Sequence, residues 1–217
     1  MSTTVALQRR LPASPPPRER AALERRVRML AWGGNAWHVV EFAIAVGAGV
    51  AAGSVALIGF GIDSVVEALA GGVIVWLFSG GRGASDRAEG CSQQLIAATY
   101  AILVVYIGVE AIRDLAASHQ PTVSWVGIGL AAVTAPTMPL LARAKRKVGR
   151  KLNSSATVSE ASQNMICAYL SIALLVGLLA NALFGWWWAD PAAALVIAAI
   201  AAREGVESWR GESCACC

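Results

Sequence analysis

Long apolar runs alternate with short polar breaks along this chain. The runs cover about residues 27–52, 54–79, 93–116, 122–142, 156–183 and 189–209. Each is close to or above the roughly 20 residues that a helix needs to cross a bilayer. The first break, around 51–53, carries no charge, whereas the break at 80–92 holds Arg82 and Arg87. The third run ends with Glu110, Arg113 and Asp114 at helical pairing distance. The fourth contains Pro136 and Pro139, which predicts a kink near its end. A basic loop is expected after it, with Arg143, Lys145, Arg146, Lys147, Arg150 and Lys151. The pattern predicts an all-α, polytopic membrane protein of six transmembrane helices over 27–210. A disordered polar tail is expected at 1–26 and a Cys-rich tail at 211–217.

Composition agrees with that pattern. Of 217 residues, 56% are hydrophobic and 15% charged, whereas soluble domains average nearer a quarter charged. The net charge of +4 is no sign of nucleic-acid binding, because the basic residues flank apolar runs. Of 18 Lys and Arg, only Arg113 falls on one side of a six-helix topology. The other side holds the N-terminal tail, the 80–92 and 143–151 loops and the C-terminus. The positive-inside rule therefore places both termini in the cytoplasm of a multi-pass protein of the cell (inner) membrane. No short apolar run with a small-residue cleavage site precedes the first span, so that span is expected to be kept. Trp186, Trp187 and Trp188 fall where helices 5 and 6 meet and are expected at the outer interface.

Against this apolar background, four polar groups stand out. Asp63 and Glu67 lie four residues apart in the second run, stacked on one helical face. Intramembrane carboxylates are costly and mark function by default. They need a metal ion, protons or a basic partner, unless they are simply protonated or hydrogen-bonded. In the fifth run, Glu160, Gln163, Asn164, Cys167 and Ser171 form one continuous polar stripe. A carboxylate, amides and a thiol suit zinc or a similar ion better than magnesium. Interhelical hydrogen bonding is the plainer alternative. Asn35, His38 and Glu41 share a face of the first run. His38 is either a ligand or proton carrier, or half of a self-neutralising pair with Glu41. Cys214, Cys216 and Cys217 crowd the last four residues. They suit a soft metal, lipidation or no role. The five cysteines match no zinc-ribbon spacing.

No sequence repeat of fixed period is visible. Helices 2 and 5 are nevertheless the second spans of two triplets, run in opposite directions and carry buried polar residues. Inverted repeats with a midplane site have this form. Counted from the helix ends, Glu67, Cys167 and His38 all reach the middle of the bilayer.

At these residues the chain resembles the cation diffusion facilitator family of metal/proton antiporters, over about 30–210. The segment GSVALIGFGIDSVVEALAGG is similar to the family's helix 2, with Asp63 and Glu67 at its paired ligand positions. WWWADPAAALVIAAIAAREGVES is similar to its outer loop and helix 6, where Asp190 reads as a helix cap before Pro191. The resemblance implies a His and an Asp one turn apart on helix 5. Here those positions become Asn164 and Ala168, with Cys167 and Gln163 as substitutes and His38 or Glu41 added from helix 1. A Cys-rich tail is expected in place of the family's soluble C-terminal domain. The implied function is export of a divalent transition metal, zinc foremost, in exchange for protons. The metal ligands expected are Asp63, Glu67, Glu160, Cys167, His38, Glu41, Gln163 and Asn164. The expected partners are the metal ion, protons, the bilayer and a second copy joined through membrane helices, with no nucleic acid and no prosthetic group. The alternative is a non-transporting membrane protein that senses metal or binds a partner, its polar residues gluing helices together. An enzyme is not expected, since no nucleophile–base arrangement, HExxH or phosphate loop occurs.

Overall fold

The computed structural model describes residues 16–79, 86–118 and 120–210. Within them the chain forms six α-helices and no strand: α1 (Pro17–Ala52), α2 (Val55–Phe78), α3 (Asp86–Ala117), α4 (Trp125–Leu152), α5 (Ser155–Phe184) and α6 (Ala189–Arg210). Among the described residues, Pro17–Ala52, Val55–Trp76, Trp125–Leu152 and Thr157–Phe184 are long and apolar enough to cross a membrane. The Cys214, Cys216 and Cys217 tail lies outside the described residues.

Two helices are longer than their apolar runs. α1 starts at Pro17 rather than at 27, so part of the expected disordered tail is helix. Pro17 sits at the first helical position, Glu19 lies in the positive first turn, and Arg20 pairs with Glu24 at 3.0 Å. α4 passes through Pro136 and Pro139 and continues to Leu152. The expected basic loop is therefore its last turns. Lys and Arg are good helix formers and suit the negative end of the helix. The helix stops at Asn153, which takes the left-handed conformation (φ 52°).

Helices α1 and α2 form one tight hairpin, and α4 and α5 another. The first turns on Gly53 (φ 68°) and restarts with Ser54 accepting from the Leu57 amide. The second turns on Asn153 and restarts with Ser154 accepting from the Thr157 amide. In each, the serine amide reaches back to a glycine carbonyl, Gly49 at 2.9 Å and Gly149 at 3.0 Å. These glycines are required: a Cβ on Gly49 would strike Ile58, and one on Gly149 would press on Thr157.

The parallel runs further than the turns. Burial recurs at a constant numbering offset of 100, from Gly34, His38, Ala45 and Gly49 in α1 to Thr134, Met138, Lys145 and Gly149 in α4. It continues from Phe60, Ser64 and Glu67 in α2 to Glu160, Asn164 and Cys167 in α5. The hairpins run in opposite senses, so the helix 2 and helix 5 symmetry is an inverted repeat of fixed period. Residue identity largely hides it, because burial repeats while most side chains outside the turns do not. The apolar core joins both hairpins through Phe60, Val66, Leu170 and Leu174, and α6 adds Ala194 and Ile197. The α3 helix packs chiefly on α6, outside the two hairpins.

Candidate metal centre

Among the described residues, the polar side chains that meet in the middle of the bundle come from α1, α2, α4 and α5. The one-turn spacing of Asp63 and Glu67 puts both carboxylates on the buried face of α2. The Cys167 thiol of α5 lies opposite. Ligand atoms of Asp63, Glu67 and Cys167 are all within 4.8 Å of one another. His38, Glu41 and Glu67 form a second group under the same limit. Glu67 belongs to both. A tetrahedral zinc site with bonds of about 2.0–2.3 Å spaces its ligands by about 3.3–3.8 Å, so a small inward movement of these side chains suffices.

The imidazole of His38 joins the two groups. Its Nδ1 lies 3.2 Å from Glu41 Oε2 and 3.2 Å from Glu67 Oε2. Its Nε2 faces Asn164 Nδ2 at 3.4 Å, and the same amide donates to Met138 Sδ at 3.9 Å. The Asn164 Oδ1 has no hydrogen-bond partner. Turning the amide over would present that oxygen to a proton on Nε2, so Asn164 can serve either tautomer of His38.

Glu41 differs in kind from Glu67. Thr134 Oγ1 donates to its Oε1 at 2.6 Å, and Ser64 Oγ donates to its Oε2 at 2.9 Å. These bonds tie α1 to α4 and α2. Neither oxygen of Glu67 has a well-aligned hydrogen-bond donor. Glu67 is therefore the carboxylate open to a ligand, and Glu41 is held as a brace.

The structure separates Glu160 from this group. Lys145 Nζ donates to Glu160 Oε1 at 2.7 Å, and both residues are buried. Glu160 lies seven residues before Cys167 on α5, about 10 Å along the helix. Gln163 is only half-buried. Cys167, one of the two substitutes expected on helix 5, is the α5 residue whose ligand atom meets the helix 2 carboxylates. Asp190 likewise differs from its expected role as the cap of α6. It stands inside the first turn of α6 and serves α2 instead. Ser54 Oγ donates to its Oδ1 at 2.5 Å and the Ala56 amide to its Oδ2 at 3.4 Å.

Sequence reasoning missed Thr134 and Lys145. Both lie on the stripe Gly127, Leu130, Ala131, Thr134, Met138, Ala142, Lys145 that α4 buries. That stripe is readable once the helix is extended through the basic segment.

The model of the cation efflux transmembrane domain matches residues 37–210. No curated protein matches the chain.

Proposed function

The chain belongs to the cation efflux family, whose members are membrane transporters of metal cations, and from that premise we propose that it exports zinc or a similar divalent transition metal in exchange for protons. One observation carries the choice of ion. Two carboxylates and a thiol from two helices, Asp63, Glu67 and Cys167, converge in the buried middle of the bundle, with His38 against Glu67. Thiolate, imidazole and carboxylate together suit zinc, while magnesium and calcium take oxygen alone. Glu41 and Asn164 position His38 in this reading, and Glu160 and Gln163 stand outside the coordination sphere.

Exchange for protons follows from the donor set. Carboxylate, thiol and imidazole bind metal in their deprotonated forms, so protons and metal compete for the same atoms. Low pH at the release side loosens the ion, and higher pH at the loading side favours it. The basic turns at the end of α4 and the start of α1 support a cytoplasmic position for that end of the bundle, in the cell (inner) membrane. Transport is then outward. The apolar outer face of α3, with Ile102, Val105 and Ile112 exposed, offers a surface for pairing with a second copy.

Zinc flux into proteoliposomes tests the proposal, with Asp63→Ala and Glu67→Ala as the variants. Both are expected to abolish flux. Unchanged zinc flux in folded variants sinks it. A second reading has its own support, in that Glu41 bonded to Ser64 and Thr134 is helix glue. That reading covers Glu41 and does not extend to Glu67.

A further inference from the structure

A second polar cluster lies about two turns from the first, toward the end where α4 meets α5. Four helices place it there. Glu160 precedes Cys167 by seven residues on α5, and Lys145 follows Met138 by seven on α4. Asn35 precedes His38 by one turn on α1, and Gly71 follows Glu67 by one turn on α2. Glu160 is 5% exposed and Lys145 2%. Nζ of Lys145 occupies Glu160 Oε1 at 2.7 Å, while Glu160 Oε2 has no hydrogen-bond partner. The Asn35 Oδ1 is also buried without one. Asn35 and the Glu160 carboxylate, through its lysine-bonded Oε1, both close on Gly71. A Cβ there would overlap Asn35 Oδ1 and lie 3.1 Å from Glu160 Oε1. Gly34 makes room for the lysine, since a Cβ there would lie 3.1 Å from Nζ.

Packing does not call for an ion pair at this place. The inverted repeat puts Ala45 and Phe60 at the positions equivalent to Lys145 and Glu160, and both are fully buried in the apolar core. The fold closes the equivalent seam with apolar side chains, and buried ion pairs are commonly no more stable than apolar replacements. A buried carboxylate with one bare oxygen, beside an amide oxygen with none of its bonds made, is a set of hard acceptors for a cation. The lysine ammonium is a compact point charge on a flexible stem and fills that role from within the chain.

We propose that Glu160 and Asn35 form a second divalent-cation site on the transport path, with Lys145 as a tethered stand-in that a passing ion displaces. The proposal rests on the transport reading for its direction, but its binding chemistry stands alone. Oxygen donors without a thiol or imidazole make this site weaker than the central one. It is a place of transit between the central site and the end that bears the α4–α5 turn.

The test titrates the purified chain with zinc alone, read by a competing chromophoric chelator. It compares the unaltered chain, Lys145→Gln and Lys145→Gln/Glu160→Gln, with folding checked by gel filtration. Lys145→Gln is expected to take up an additional, weaker ion, and the double variant to lose it. Equal uptake by the two variants overturns the proposal. Repeating the series with Glu67→Gln keeps the two readings apart. A central site that fails leaves the Glu160-dependent increment visible, and a missing increment leaves the central site untouched. If Lys145→Gln does not fold, amine acylation of Lys145 in the unaltered chain decides, measured by mass spectrometry. Saturating zinc is expected to raise Lys145 labelling several-fold, and labelling that zinc does not change overturns the displacement.

Discussion

Glu67→Gln separates transport from helix glue, because the two roles give this isosteric change opposite effects. The Glu67 ligand atoms are within 4.8 Å of those of Asp63 and of Glu41. With all three ionised, each repulsion at that distance is about 3.5 kcal/mol at an effective dielectric of about 20. Against them stands His38 Nδ1 at 3.2 Å, which a protonated imidazole turns into an attraction of about 5 kcal/mol on the same scale. Removing the charge thus changes stability by about 2 kcal/mol in the favourable direction, and by less where protons already relax the cluster. For a chain of this size that is a rise of zero to about 8 °C in melting temperature. Glutamine also gives up the ligand. Loss of a partner that merely orients a ligand costs about 10–100-fold in metal affinity, so loss of Glu67 itself is expected to cost at least about 100-fold. The assay pairs thermal melting in detergent with zinc flux in proteoliposomes. A fall in melting temperature beyond about 4 °C, with flux intact, would falsify the assignment and make Glu67 a structural residue.

Thr134→Val removes one donor from the Glu41 carboxylate; such bonds contribute about 1.5–3 kcal/mol, so melting should drop by roughly 3–12 °C while flux per folded molecule survives. Cys167→Ser exchanges a soft donor for a hard one at the centre of the site. Cadmium binding should weaken more than manganese binding in competition titrations, and an equal loss for both ions would remove Cys167 from the ligand set. Asp190→Ala frees the Ser54 hydroxyl and the Ala56 amide at the start of α2. It should cost about 1–3 kcal/mol in melting experiments and leave the order of metal preference as it was.

Asp63 and Glu67 stood out in the sequence because a carboxylate inside an apolar run is costly without a partner, and one-turn spacing fixes a shared face. His38 and Cys167 followed from depth counting along antiparallel helices. Glu160 did not. Its partner Lys145 sits in a run of basic residues that reads as a solvated loop, and nothing local distinguishes the one lysine that turns inward. The difference lies in the neighbouring helices, where Gly34 and Gly71 leave the space. Asp190 was misread for a related reason. A carboxylate before a proline fits the cap of its own helix, and only the fold brings Ser54 within 2.5 Å. The repeat is hard to read in the sequence because, beyond the glycine and serine of each turn, it conserves mostly burial. His38 answers to Met138, Glu67 to Cys167 and Phe60 to Glu160, pairs of unlike residue type.

That divergence within the repeat bears on how the bundle can open. The central charges lie on one hairpin, with His38, Glu41, Asp63 and Glu67 on α1 and α2. The α4–α5 hairpin answers with Thr134, Asn164 and Cys167, which carry no fixed charge. Parting the hairpins at this level therefore breaks hydrogen bonds and a thiol contact, and leaves the His38–Glu41–Glu67 group whole. The Lys145–Glu160 pair also stays whole, since both partners belong to the α4–α5 hairpin. No ion pair between the central charges or within the second cluster spans the seam. The two ends of the seam then differ in what holds them. Beside Ala45 and Phe60, closure rests on burial of apolar surface and resists water. Beside Lys145 and Glu160, the seam is lined by an ion pair internal to one hairpin and by the bare Glu160 Oε2, polar groups that do not bind the hairpins together and that water or a metal ion can reach. An inverted repeat with identical halves would open both ends with equal ease. Unequal closures give the two ends different responses to a cation, which a transporter that loads at one end and releases at the other requires.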